Sequence, residues 1–165
     1  VVTRRKIVLA LLLGAAAAAA VILSQSETKK VKKSFNRLAD WASKDGEENL
    51  VTLARKARDI GTLFAGECEF KTHVVPFSGV LTPEDVSGYA MRGRALFSSL
   101  NVKFYDETIT FQEEDLARAG VTLRVKGLLT SGEPIQETHE IDCVLRKIEA
   151  RWLFSRFEIV EVLQK

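Results

Sequence analysis

Residues 140–163, EIDCVLRKIEARWLFSRFEIVEVL, read as two long β-strands joined by a short turn at Glu149-Ala150-Arg151. Along the first, Ile141, Cys143 and Leu145 alternate with polar neighbours, which marks a half-buried strand. Strict alternation gives the second two apolar faces: Leu153, Phe157, Ile159 and Leu163 on one, Trp152, Phe154, Val160 and Val162 on the other. A doubly apolar strand sits centrally and is covered on both sides. Helices are the expected cover on one side. A partner protein or second protomer, meeting Trp152, Phe154, Val160 and Val162, is expected on the other. Arg156 and Glu158 interrupt that second face and read as an interface ion pair or a solvated rim, with binding of a polar ligand group as the alternative.

Upstream, the period stays alternating back to Asn101. Four strands are expected, at about 102–111, 119–130, 135–148 and 152–163, separated by QEEDLARAG, TSGEP and EAR. Before them, Thr82-Pro83-Glu84-Asp85 is a helix start, with a Thr N-cap, Pro at the first position and acids in the first turn. This helix is expected to reach about Leu100, burying Val86, Tyr89, Ala90, Leu96, Phe97 and Leu100, with Gly88 and Gly93 permitting close packing. The segment ECEFKTHVV, with Cys68, Phe70, Thr72 and Val74 alternating, reads as a further strand. Two earlier helices carry stripes at Val31, Phe35, Leu38 and Ala42, ending at a Gly46 cap, and at Leu50, Leu53, Ala54, Ala57, Ile60 and Phe64, starting at Glu47 and Glu48. Trp41 lies off the first stripe, against the second helix or lipid.

The order helix, helix, strand, helix and antiparallel meander is an α+β plan: three helices packed on a curved, mainly antiparallel sheet. Together with the strands NVKFYDETITF and AGVTLRVKGLL and the closing hairpin, in which Leu145, Arg146 and Lys147 precede a turn and Trp152 opens the next strand, it resembles the nuclear-transport-factor-2-like superfamily. That cone-shaped fold is shared with SnoaL-like cyclases and ketosteroid isomerase. The resemblance covers roughly residues 31 to 163, and Glu149-Ala150-Arg151 departs from the Asp-Gly pair common at this turn. It implies a cone domain. For membrane-anchored members it implies a scaffold role, as in periplasmic subunits of type IV secretion systems and accessory domains of import machinery. In the superfamily's enzymes an Asp or His inside the cone acts on a small apolar substrate, and no residue here aligns with those positions.

The N-terminus suggests a membrane. Ile7 to Leu23, IVLALLLGAAAAAAVIL, is seventeen uncharged residues behind Arg4, Arg5 and Lys6. As a helix it reaches roughly 25 Å, enough for a bilayer core of about 30 Å once flanking residues join. The organisation read from this is a transmembrane signal anchor at 1–23, a polar linker at 24–30 and the cone domain at 31–165. A removable signal peptide, cleaved after the small residues Ala18 and Ala20, is the alternative. Lys29, Lys30, Lys32 and Lys33 read as a membrane-proximal patch for anionic headgroups. With Arg37 they outnumber the three basic residues before the run, which counts toward a cytoplasmic domain. Those charges belong, however, to an amphipathic helix, and a short basic N-terminus before a first apolar segment is the layout of an exported one. The expectation is a single-pass membrane protein with its domain on the non-cytoplasmic, periplasmic or extracellular side.

Composition narrows the chemistry. The chain carries formal charge +2, but without residues 1–23 it has 21 basic against 22 acidic residues, so no nucleic-acid footprint is expected. Cys68 and Cys143 are 75 residues apart without a CxxC partner and are expected as buried free thiols. With His73 and His139 they match no zinc spacing, and glycine-rich phosphate loops, GxSxG and HExxH are absent, so no metal or cofactor is expected. Asp106 and Glu107, adjacent on a strand, point to opposite faces and cannot pair. One row remains: Glu137, His139, Ile141, Cys143 and Leu145 share a face, so His139 with Glu137 is the candidate base and orienting partner. The alternative puts both near a hairpin end, partly exposed, with only Ile141 to Leu145 in the core. The function expected is a membrane-tethered, non-catalytic interaction or scaffold domain. An anchored isomerase, cyclase or dehydratase, or a carrier of an apolar ligand, is the alternative.

Overall fold

The structure, a computed structural model, describes the backbone of residues 4–72 and 77–162 and the side chains of 19–72 and 78–160. Three helices, α1 (Arg4–Ala42), α2 (Leu50–Gly61) and α3 (Pro83–Ala95), cover one face of a six-stranded sheet. Its strands are β1 (Phe64–Thr72), β2 (Phe77–Leu81), β3 (Phe97–Glu113), β4 (Leu116–Leu129), β5 (Pro134–Ile148) and β6 (Arg151–Val162). The spatial order is β2-β1-β6-β5-β4-β3, antiparallel throughout except where β1 lies parallel to β6. The expected α+β cone is therefore present. β6 is interior to the sheet, and β2 is a strand that the sequence did not announce.

Between sheet and helices lies an aromatic core. Phe35 of α1 stands edge-on to Phe104 of β3 and Phe154 of β6, at 5.2 and 5.0 Å between ring centroids. Phe64 reaches Phe154 from β1, and Phe111 lies beside Trp152. Val31, Leu38, Ile60 and Val86 seal the layer from the helix side, over Ala117, Ala119, Cys143 and Leu145 of the sheet. Aromatic pairs of this geometry add about 0.5–1.5 kcal/mol each beyond the area they bury.

Several boundaries differ from expectation for identifiable reasons. Residues 24–30, read as a linker, are helical within α1. Thr28 Oγ1 bonds the Ser24 carbonyl at 3.0 Å, and Glu27 is held by Lys30 at 2.7 Å, Lys147 at 3.1 Å and the Trp152 indole at 2.7 Å. The Lys30 hydrogen bond leads in holding the Glu27 carboxyl down at about 2 against the opposing effect of burial, and Trp152 and Lys147 add to it. Gly46 is no left-handed cap, since Gly132 is the one glycine with positive φ among the described residues. α1 ends instead where Lys44 exchanges 2.7 Å backbone hydrogen bonds with Leu100. α2 starts at its Asn49 cap, beyond Glu47 and Glu48, leaving Leu50 75% exposed. The start of α3 is as read, and the structure adds a capping box, with Thr82 Oγ1 accepting from the Asp85 amide and the Asp85 carboxylate accepting from the Thr82 amide. That helix stops at Ala95, however, so Phe97 and Leu100 belong to β3, while Tyr89 and Leu96 face outward. Close helix packing falls at Gly61, where a Cβ would lie 2.5 Å from the Pro83 carbonyl oxygen, and neither Gly88 nor Gly93 is crowded by a neighbouring element.

The closing turn resolves the departure at Glu149-Ala150. Both residues adopt left-handed backbone, φ 48° and 62°, and join β5 to β6 as a two-residue hairpin loop of the primed kind. Left-handed backbone costs an L-residue with a Cβ about 1 kcal/mol. Ala150→Gly is therefore expected to stabilise the fold by about 0.5–1 kcal/mol, read as a raised urea midpoint at unchanged slope.

Candidate functional site

The cone has an opening with an apolar lining. A pocket of about 380 Å³ lies between α3, the β1–β2 hairpin and β6. Val86, Tyr89 and Ala90 of α3 form one wall and Leu38 of α1 closes the inner end. Phe64, Phe70, Leu81 and Phe157 form the rest. The helical spacing of Val86, Tyr89 and Ala90 puts them on one side of α3, and alternation puts Phe70 on the face of β1 that carries Cys68. Phe70 stacks on Phe157 at 5.6 Å. Tyr89 is 52% exposed, with the Arg92 guanidinium 4.7 Å from its ring centre, which places the phenol at the rim. Among the described residues the lining offers no carboxylate, imidazole, thiol or amine.

His139 is elsewhere. The row Glu137, His139, Ile141, Cys143, Leu145 exists, and His139 is buried within it at 8% exposure. Its Nε2 lies 2.8 Å from Glu137 Oε2, a carboxylate half in solvent, and its buried Nδ1 has no hydrogen-bond partner among the described residues. Partial exposure near a hairpin end thus holds for the acid, whereas the imidazole is buried. His139 is opposite Leu123 on β4 and Val162 on β6, and it is not in the pocket wall.

The thiols offer no nucleophile. Cys68 and Cys143 are buried and unbridged. Burial pushes Cys68 up to about 12 and Cys143 well above the ordinary thiol range. His73 lies outside the described residues. Asp106 stands at φ 53° in a bulge of β3, where the register shifts between Tyr105 and Thr108, and Glu107 turns to Lys32 of α1 at 3.1 Å. Simple alternation therefore does not describe this pair.

The expected interface residues do not form one surface. A register shift at Ser155-Arg156, with Leu145 opposite Phe154 but Cys143 opposite Phe157, puts an extra residue into β6 and reverses its faces. Trp152, Phe154, Phe157 and Ile159 consequently all turn inward. Trp152 and Phe154 are core residues, exposed by 3% and 0%, whereas Val160 is on the other side at 48%. The Val162 side chain lies outside the described residues. What the outer face presents beside Val160 is charge: Arg118 with Asp142 at 2.6 Å, Lys71 with Glu158 at 3.4 Å, and Arg156 with Glu158 at 2.9 Å.

Of the four membrane-proximal lysines, Lys30 and Lys32 are held by Glu27 and Glu107, while Lys29 and Lys33 are exposed. Among the described residues no helix is long and apolar enough to cross a membrane, and most of Ile7 to Leu23 lies outside the described side chains.

No known sequence family matches the chain, and no curated protein does. Solved structures do. A candidate scytalone dehydratase from Novosphingobium aromaticivorans is similar with a TM-score of 0.66 at 14% identity, over 86% of this chain and 87% of that one. A type 2 hexachlorocyclohexane dehydrochlorinase gives 0.67 at 10% identity, over 86% and 91%. An NTF2-like protein of cystatin-like fold from the same Novosphingobium species gives 0.65 at 16%, over 86% and 85%. The fold is thus that of the NTF2-like and SnoaL-like proteins. At these identities the likeness carries the fold alone.

Proposed function

We propose that this chain is a membrane-tethered, non-catalytic binding domain whose cone receives an apolar group between α3 and the β1–β6 side of the sheet. The observation that carries the reading is the lining of that pocket, which is apolar up to the Tyr89 rim. Among the described residues such a surface supplies burial energy and shape, and the Tyr89 phenol at its rim is the one group there able to exchange a proton. The tether is supported by the sequence Ile7 to Leu23, by the helical backbone running from Arg4 to Ala42, and by the exposure of Val21, Ile22 and Leu23, each more than half uncovered. A scaffold partner on the outer sheet face would meet ion pairs, not the aromatic patch expected from alternation.

An enzyme of the same fold is the second reading, favoured by the buried imidazole of His139 and its contact with Glu137. Native mass spectrometry of the full chain, extracted from its own membranes, separates the two. The binding reading expects a one-to-one apolar adduct that Ala90→Phe removes and that keeps its mass in His139→Gln. A bare chain overturns it. A different adduct mass in His139→Gln, an unconverted substrate, gives the enzyme. Alkaline carbonate should leave the full chain in the membrane pellet, and a soluble product beginning near Val21 would remove the tether.

A further inference from the structure

A second pocket, of about 220 Å³, is unlike the first. It lies where α1 crosses the start of β6, and four cations surround it: Lys30, Lys33 and Arg37 from α1 and Arg151 from the β5–β6 hairpin. Positions 30, 33 and 37 are one helical face, three and four residues apart. The helix is pinned here by Ser34, whose buried hydroxyl bonds the Trp152 carbonyl at 2.9 Å. Arg151 is fixed from the opposite side by donating to the Thr62 carbonyl at 2.9 Å. Leu63, Trp152 and Leu153 make an apolar floor.

The charges are poorly balanced. Lys30 has Glu27, whose carboxylate is shared with Lys147 and the Trp152 indole. Lys33, Arg37 and Arg151 have no ion pair among the described residues, although the neighbouring Lys32 and Lys147 do. Like charges converging on a concave surface repel, and an anion placed among them reverses that cost. Arginine forks beside a lysine point charge suit a phosphate group, and a floor of leucine and tryptophan suits the carbons attached to it.

We infer that this pocket binds a phosphate-bearing anion through Lys33, Arg37 and Arg151. Two sources share that chemistry, an anionic lipid headgroup and a soluble phosphate. Lys30 stands seven residues past Leu23, roughly 10 Å along the helix. Polar headgroups extend roughly 5–8 Å beyond the hydrocarbon, so flexible basic side chains reach back to them. The anion site itself stands without the tether, and only the lipid source rests on it.

The test uses the full chain in maltoside micelles at fixed ionic strength, with tryptophan fluorescence as readout because Trp152 lines the pocket. The probes are dihexanoyl phosphatidylglycerol, dihexanoyl phosphatidylcholine and sodium phosphate. Saturable binding of the glycerol lipid or of phosphate is expected, weakened about thirtyfold in Lys33→Gln/Arg37→Gln, at roughly 1 kcal/mol per basic group. Arg55→Gln/Lys126→Gln, which removes two exposed charges elsewhere, should shift it less than about twofold. Tighter binding of phosphatidylglycerol than of phosphate identifies a headgroup, and the reverse a soluble anion. The site is overturned by no saturable response, by phosphatidylcholine binding as well as phosphatidylglycerol, or by equal losses in the two variant pairs. Loss of the tether in the carbonate extraction would leave the phosphate arm intact.

Discussion

Arg94→Ala is expected to destabilise the protein by about 3–5 kcal/mol, because Arg94 is a cation on α3, 2% exposed, that terminates another helix. Its Nη1 lies within reach of the Trp41, Ala42 and Ser43 carbonyls, the last at 2.9 Å, and its Nη2 bonds Glu48. Those carbonyls are the orphan acceptors at the end of α1. Removing the guanidinium strands them in the interior, whereas Glu48 keeps Lys56 at 2.7 Å. Arg94→Lys should recover only part of the loss, since one ammonium cannot span both sets of acceptors. Burial works against the Glu48 carboxylate, but hydrogen bonds from Lys56 and Arg94 outweigh it and hold its pKa below the ordinary 4.5. A depressed folded-state pKa stabilises above 4.5 and loses that contribution as pH falls below it. Urea unfolding from pH 7 to 3 should therefore show a steeper acid loss in the parent than in Arg94→Ala. Parallel curves would mean that the pair contributes nothing through charge.

The second large effect is expected at Phe154. Phe154→Ala should cost about 3–5 kcal/mol and lower the melting temperature by roughly 10 °C, and Phe154→Glu should not fold. The ring is fully buried, with Phe35, Phe64 and Phe157 at 5.0, 5.3 and 5.9 Å. Val160→Lys, half a strand further on, should change stability by less than about 0.5 kcal/mol because that side chain is on the outer face. If β6 followed strict alternation without a bulge, the two residues would share a face and respond alike. A folded, stable Phe154→Glu with impaired self-association would restore the interface first read from the pattern.

Much of the plan was legible because local chemistry decides it. Thr82, Pro83 and Asp85 specify a helix start among themselves, and α3 begins there. Alternation at Ile141, Cys143 and Leu145 specified the inner face of β5, since a regular strand has a fixed period of two. The same rule failed on β6, where the bulge is set by how β5 and β6 pair and not by either strand's residues. The linker was misread similarly: Ser24 to Lys30 are polar, but Glu27 gains three partners only when Lys147 and Trp152 arrive from the sheet. Leu96 and Phe97 look helical by spacing, yet pairing with β4 claims Phe97 for β3.

The candidate sites divide along the same line. His139 and Glu137 were visible as a pair because they are two apart on one strand, and their 2.8 Å contact is local. The apolar pocket was not, since its walls come from α1, α3, β1, β2 and β6. Nor was the cluster of Lys33, Arg37 and Arg151, separated by more than a hundred residues until the hairpin folds beside α1. By itself the sequence determined the three helices and five of the six strands, the α+β plan and an apolar N-terminal run, because periodicity, caps and hydrophobic length act within a few turns of chain. Only the tertiary structure decided which face of β6 is buried, what ends α1 and where charge and cavity converge, because those depend on strand register and on groups brought together from distant positions.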